Sequence, residues 1–87
     1  MDEALIYAKL TEIVHDVLDD DGIVLTPELS AKQVRGWDSL AHLRLMLTIE
    51  KSFHIAFSTE EMSKRGRIGD LVGRIQARLQ SHPVRQE

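Results

Sequence analysis

The sequence contains no cysteine, few aromatic residues and no long apolar run, and each absence excludes a class of function. Without cysteine, the 87-residue chain forms no disulfide and supplies neither a thiolate metal ligand nor a thiol nucleophile. Its apolar runs are only a few residues long, too short for a bilayer span. The opening Met1-Asp2-Glu3 lacks the basic and apolar start of a secretory signal. These features predict a soluble, cytoplasmic protein with a single domain over residues 1–87.

The net charge of −3 conceals an uneven distribution of charged residues. Residues 1–28 contain eight acids and one base, whereas residues 29–87 contain six acids and ten bases. A basic half is one feature of proteins that bind nucleic acid. Here the bases are dispersed, and no aromatic side chains are interleaved among them to stack on nucleobases. We therefore interpret the basic residues as a solvated surface and expect no nucleic-acid partner.

Apolar residues recur at helical spacing near the start of the chain and predict a helix from about Glu3 to Leu18. The run from Asp19 to Gly22 ends this helix, because consecutive aspartates disfavour a last turn and Gly22 suits a cap. A long connection follows, over about residues 23–37. We do not interpret it as a flexible linker, because its apolar residues are expected to pin it onto the core: Ile23, Leu25, Leu29 and Val34.

The second helix is the clearest in the sequence, with Asp38 as its N-cap and an apolar pattern that continues to Phe53. One apolar stripe should face the core and consists of Leu45, Met46, Ile49 and Phe53. A second stripe, rotated away from the first, consists of Leu40, Leu43 and Leu47. A domain this small has little core in which to bury both stripes, so the second stripe predicts a surface for a partner.

A short helix and a last amphipathic helix complete the pattern. Residues 58–61 form a capping box that opens a short helix ending near Lys64. The last helix is marked by Ile68, Leu71, Val72, Ile75 and Leu79 and weakened by Gly69 and Gly73. The tail from about residue 81 is expected to be disordered. The sequence thus predicts an all-α fold, a small bundle of three main helices and one short helix with a long first loop.

The residue types offer little for catalysis or for a metal site. No two histidines are spaced three or four residues apart, and all four are expected on the surface: His15, His42, His54 and His82. No glycine pattern matches a phosphate-binding loop. Ser39 lies one turn from His42 and follows Asp38, but that aspartate is needed as the helix cap, and no oxyanion hole is evident. We therefore expect neither a metal site nor hydrolase chemistry.

Ser39 has a different use in the first turn of the second helix. Backbone N–H groups there lack intrahelical partners and lie at the positive end of the helix dipole. A phosphodiester on Ser39 would be stabilised in that position, and a hydroxyl at a junction between loop and helix is open to a modifying enzyme. From Asp38 and Ser39 alone, an ordinary helix start is the simpler interpretation.

A longer stretch of sequence favours the interpretation of Ser39 as a modified residue over that of an ordinary helix start. The segment Gly36-Trp37-Asp38-Ser39-Leu40, followed by an amphipathic helix that ends Ile49-Glu50-Lys51-Ser52-Phe53, closely resembles the acyl carrier proteins. The resemblance covers nearly the whole chain, through residues 57–61 and 68–72. That family attaches a 4′-phosphopantetheine arm to the serine of an Asp-Ser-Leu motif, here Asp38, Ser39 and Leu40.

The resemblance implies a carrier and not an enzyme. A phosphopantetheinyl transferase would join Ser39 Oγ to the phosphate of the arm of coenzyme A, and the thiol of the arm would hold an acyl group as a thioester. Acyl-loading, condensing or acyl-transfer enzymes would then be the partners. A thiol that belongs to the prosthetic group agrees with a chain that has no cysteine.

The family pattern also implies a partner-facing side of the second helix, formed by Leu40, Leu43, Arg44, Leu47, Glu50 and Lys51. Carriers of fatty acid synthesis are usually strongly acidic there, and basic patches on their partner enzymes recognise those acids. Arg44 and Lys51 depart from this pattern, and contact with a like-charged patch is unfavourable. We therefore expect dedicated partners, in a specialised, polyketide-like pathway or in fatty acid biosynthesis.

One alternative stays open at this point. The chain would then be a small helical interaction domain without a prosthetic group, which docks through Leu40, Leu43 and Leu47. Under either interpretation, the chain is expected to be a monomer without a membrane association.

Overall fold

The computed structural model describes residues 2–81, and within them the backbone forms four α-helices and one 3-10 helix. The helices are α1 (Glu3–Leu18), the 3-10 helix (Ala31–Gln33), α2 (Ser39–Phe53), α3 (Thr59–Ser63) and α4 (Ile68–Ser81). Over the same residues, extended pairing is limited to an isolated antiparallel bridge between Ser30 and Arg67. The predicted all-α bundle with three main helices and one short helix is confirmed. Most of the predicted disordered tail, residues 82–87, lies outside the described residues.

Side-chain caps explain where the helices begin. Asp2 accepts a hydrogen bond from Leu5 N at 3.0 Å and starts α1. Ser58 forms the predicted capping box with Glu61, in which each side chain accepts from the backbone N–H of the other. Such caps satisfy N–H groups that have no partner within the helix.

The end of α1 differs in one detail from the prediction. The left-handed residue at the C-cap is Asp19, with a φ of 54°, and not Gly22. Aspartate tolerates this conformation better than most residues, since its side chain is short and polar. The N–H of Asp19 donates to His15 O and closes the last turn.

The hydrophobic core lies between α1, α2 and α4. The predicted core stripe of α2 is buried, together with matching residues of the other two helices. The buried residues of α1, α2 and α4 are Ile6, Leu10, Ile13, Val14, Leu45, Met46, Ile49, Phe53, Ile68, Leu71, Val72 and Ile75. Burial of these side chains is the main favourable contribution to folding.

The long first loop is held against the start of α4 by backbone hydrogen bonds. Ile68 N donates to Leu29 O at 2.8 Å, and Gly69 N donates to Pro27 O at 3.0 Å. A Cβ atom on Gly69 would lie 3.1 Å from Pro27 O, so the two backbones approach as closely as they do because this residue is glycine. The loop therefore packs as a fixed element, and its residue Trp37 is only 4% exposed.

Candidate functional site at the start of α2

A tight turn places the residues that precede α2. Trp37 N donates to Val34 O at 3.2 Å, and Gly36 occupies the third position of the turn with a φ of 87°. A positive φ at this position is typical of a type II turn and favours glycine. The turn sends the Trp37 ring into the core and leaves Asp38 extended at the N-cap of α2.

Ser39 is the first residue of α2, and its side chain is exposed. Asp38 Oδ1 accepts from Ala41 N at 2.8 Å, and the first intrahelical bond runs from His42 N to Asp38 O, also at 2.8 Å. The N–H groups of Ser39 and Leu40 precede that bond. Ser39 therefore presents its hydroxyl to solvent at the positive end of a 15-residue helix.

The expectation that all four histidines lie on the surface is wrong for His42, which is 5% exposed. Its Nδ1 accepts a hydrogen bond from Trp37 Nε1 at 3.0 Å, and the two rings stack with their centroids 6.1 Å apart. The spacing contains a signal that predicts this burial. His42 precedes Leu45, Met46 and Ile49 by three, four and seven residues, so it lies on the core stripe of α2.

The other histidines follow the expectation in part. His54 is exposed, and its φ of 57° makes it the C-cap of α2. His15 is half-buried, and its Nε2 lies 2.7 Å from Ile23 O, where the ring ties α1 to the first loop. His82 lies outside the described residues.

The environment of His42 excludes it as a base for Ser39. Burial lowers its pKa from the usual 6.5, and the nearby Arg65 guanidinium lowers the pKa further, so the ring is neutral at pH 7. Because Nδ1 accepts from Trp37, the neutral ring carries its proton on Nε2. The Nδ1 lone pair thus accepts from Trp37, and Nε2 carries the proton and has no hydrogen-bond partner among the described residues, so neither nitrogen has a free lone pair to take a proton from the serine.

A cleft of about 300 Å³ opens beside Ser39, between α2 and α3. Most of its surface is apolar, and three of its lining residues carry hydroxyl groups. Arg65 Nη1 donates to Trp37 O at 3.3 Å, which holds this cation near the cleft. The lining residues are Ser39, His42, Leu43, Thr59, Met62, Ser63 and Arg65.

The short helix α3 forms one wall of this cleft and is held in place at its base. Arg78 of α4 forms an ion pair with Glu61 and donates through Nε to Ala56 O at 3.0 Å. Hydrogen bonds from Ser58 lower the pKa of Glu61, since they stabilise the charged carboxylate. These contacts link α3 to α4 across the preceding loop.

The second apolar stripe of α2 lies on the side of the helix opposite the core. Leu40, Leu43 and Leu47 are 67%, 45% and 48% exposed. Arg44 and Lys51 are exposed beside them. We call this surface the outer face of α2, formed by Leu40, Leu43, Arg44, Leu47 and Lys51.

Glu50 is placed differently from the other residues predicted to face a partner. Its side chain is half-buried, and Oε2 accepts a hydrogen bond from Phe57 N at 2.8 Å. This bond ties the last turn of α2 to the segment that leads into α3. The sequence does not predict this bond, because the irregular segment between the end of α2 and Phe57 has no period that would fix the position of Phe57 relative to Glu50.

The described part of the chain contains no group of three or more His, Asp or Glu side chains arranged to hold a metal ion. Nor is any helix within residues 2–81 long and apolar enough to cross a membrane.

No protein-family model matches the chain, but individual relatives and a solved structure do. The acyl carrier protein of Clostridium acetobutylicum is 32% identical over 73 residues, which cover 84% of this chain and 95% of the relative. The acyl carrier protein of Exiguobacterium sp. is 30% identical over 79 residues, 91% of this chain and 100% of the relative.

Among solved structures, the solution NMR structure of holo acyl carrier protein from Geobacter metallireducens matches with a TM-score of 0.79 and 36% identity. The match covers 93% of this chain and 97% of that one. Sequence relatives and a structural neighbour of the same name thus agree with the fold and with the resemblance carried by residues 36–53. The chain belongs to the acyl carrier protein family, whose members are carriers and not catalysts.

Proposed function

We propose that the chain carries acyl groups on a 4′-phosphopantetheine arm attached to Ser39. The observation that carries this proposal is the exposed Ser39 hydroxyl in the first turn of α2, within Asp38-Ser39-Leu40. When attached, the arm supplies a terminal thiol that holds the acyl group as a thioester. The chain itself supplies the attachment point, its electrostatic surroundings and the surfaces that partner enzymes recognise.

The residues around Ser39 suit a phosphodiester at this position. The N–H groups of Ser39 and Leu40 precede the first intrahelical hydrogen bond, so they are available to an anion at the helix N-terminus. The Asp38 side chain is turned to Ala41 N and caps the helix. Ser39 Oγ borders the cleft between α2 and α3, which is the nearest concave surface to the attachment point.

The proposal extends to the partners predicted from the sequence. A phosphopantetheinyl transferase would modify Ser39, and loading, condensing or acyl-transfer enzymes would dock on the outer face of α2. We place the chain in a specialised, polyketide-like pathway or in fatty acid biosynthesis. We further propose a cytoplasmic monomer.

The test is the intact mass of the chain after incubation with coenzyme A, Mg²⁺ and a promiscuous phosphopantetheinyl transferase. We expect the wild type to gain the mass of one phosphopantetheinyl group and Ser39→Ala to gain none. Ser63→Ala is the matched control, because Ser63 is an exposed serine on the opposite wall of the same cleft. This control should be modified as fully as the wild type.

Two results would count against the proposal. Equal modification of wild type and Ser39→Ala would place the arm on another residue. No mass gain in a folded wild type with several transferases would favour the alternative, a helical interaction domain without a prosthetic group.

A further inference from the structure

The outer face of α2 combines exposed leucines with cations that have no carboxylate partner among the described residues. Leu40 and Leu47 lie opposite the core stripe, with Leu43 on one side of them and both Arg44 and Lys51 on the other. Within residues 2–81, neither cation lies within ion-pair distance of a carboxylate, since the ion pair there is Arg78 with Glu61. The surface is therefore apolar at its centre and positive at its edge.

Three acidic side chains of the α2 and α3 region accept hydrogen bonds within the fold. Asp38 accepts from Ala41 N, and Glu50 accepts from Phe57 N, each at 2.8 Å. Glu61 pairs with Arg78 of α4. From Ser39 to Phe53, α2 contains two bases and one acid, and the acid is the residue turned toward Phe57. The charged side chains that belong to the outer face, Arg44 and Lys51, are thus both cations.

Charge complementarity defines the kind of protein surface that fits this face. Exposed leucines favour an apolar patch that removes them from water. Cations at the edge attract carboxylates and repel arginine and lysine, and this effect acts on the rate of association as well as on specificity.

We propose that the outer face of α2 docks onto enzymes whose carrier-binding surface is an apolar patch rimmed by Asp and Glu side chains. This inference rests on the proposed function, because the partners concerned are the enzymes that handle the acyl group. It reverses the sign of the basic patch that fatty-acid-synthesis enzymes present to their acidic carriers. Basic partner surfaces are excluded by repulsion from Arg44 and Lys51.

The test uses a fatty-acid ketosynthase with a basic docking surface and a variant of it in which those basic residues are replaced by glutamate. Each chain is first loaded with excess promiscuous transferase and acyl-coenzyme A, and loading is checked by intact mass. The kcat/KM of acyl transfer to each enzyme is then normalised to its activity with a free acyl-pantetheine. This normalisation removes any effect of the glutamate substitutions on the ketosynthase active site.

We expect the wild-type chain to transfer to the glutamate variant with a kcat/KM about 10-fold above that for the basic enzyme, a gain at the low end of electrostatic steering. Added NaCl should reduce this preference. Arg44→Glu should abolish or invert it. Lys9→Glu changes the net charge by the same amount on α1, away from the outer face, and should retain the preference.

Each other outcome overturns the proposal. A loaded wild-type chain that shows no preference, or that prefers the basic enzyme, contradicts it directly. Equal effects of Arg44→Glu and Lys9→Glu would assign the preference to net charge and not to this face. A chain that gains no mass in the loading step refutes the proposed function itself, and the docking proposal is then refuted with it.

Discussion

At the scale of single residues, neighbours on one helix have separate tasks. Asp38 caps α2, Ser39 presents its hydroxyl to solvent, and His42 enters the core one turn later. These three residues resemble the members of a catalytic triad only in type. Asp38 and His42 are each committed to another hydrogen bond, which leaves Ser39 as an attachment point and not as a nucleophile activated by its neighbours.

The buried His42 makes stability depend on pH. Its folded-state pKa lies below the usual 6.5, so above that pH both folded and unfolded chains hold a neutral ring. As the pH falls below 6.5, the unfolded chain binds a proton that the folded chain does not bind, and the free energy of unfolding decreases. We expect this contribution to change by at most about 1.4 kcal/mol per pH unit.

The measurement is urea unfolding of the wild type and of His42→Asn between about pH 5 and pH 8, the range of histidine titration. Asparagine keeps an acceptor for Trp37 Nε1 but does not titrate. At the upper end of this pH range the wild type should be more stable than His42→Asn. The difference between their free energies of unfolding should decrease as the pH falls. A difference that is constant with pH would show that His42 has the same pKa in both states.

At the scale of elements, the first loop and α4 depend on a close approach between their backbones. Gly69 is the contact point, since a Cβ there would meet Pro27 O at 3.1 Å and Pro27 Cβ at 3.2 Å. Two backbone hydrogen bonds, from Ile68 and Gly69 to the loop carbonyls, hold Pro27 in position. Glycine at position 69 therefore lowers the helix propensity of α4, but it permits the close contact that holds the loop in place.

Two glycines of α4 provide a matched comparison. Gly73 has no heavy atom within 4 Å of an added Cβ, so Gly73→Ala should stabilise the chain by about 0.5–1 kcal/mol through helix propensity. Gly69→Ala should instead lower the free energy of unfolding, by about 1 kcal/mol, because Pro27 cannot move without loss of a hydrogen bond. Thermal or urea unfolding measures the change in the free energy of unfolding of each variant. Equal stabilisation by the two alanines would mean that the loop yields readily.

At the scale of the whole molecule, α2 has two apolar faces with different roles. One face packs into the core against α1, where Leu45, Met46 and Ile49 are fully buried. The other face carries the exposed leucines of the outer face. A chain of this size buries one such stripe per helix, and the second therefore lies on the surface, where a partner can contact it.

These different roles predict that a substitution on the core face lowers stability, whereas a substitution on the outer face weakens the contact with a partner. Ile49→Val should reduce the free energy of unfolding by about 1 kcal/mol, because it removes a buried methylene. Leu47→Ala should change it by less than about 0.5 kcal/mol, as expected for a surface position. The same Leu47→Ala should weaken acyl transfer to a partner enzyme, measured as kcat/KM with a loaded chain. A large loss of stability in Leu47→Ala would place that side chain in the core.

The sequence predicted those features that depend on residues close together along the chain. Helix periods, side-chain caps and the motif around Ser39 are set by residues three or four positions apart, and the structure shows the helices where the pattern indicated them. The charge of the outer face is likewise visible in the sequence, because it depends only on which residues share one side of α2.

Other features depend on residues that meet only when the chain is folded. The Trp37–His42 pair, the bond from Phe57 N to Glu50 and the cleft beside Ser39 require particular orientations of a loop against two helices. The contact between Gly69 and Pro27 joins positions more than forty residues apart. Local periodicity determines which side of a helix is apolar, but only the packing of distant segments decides which polar groups are buried with it and which partners satisfy them.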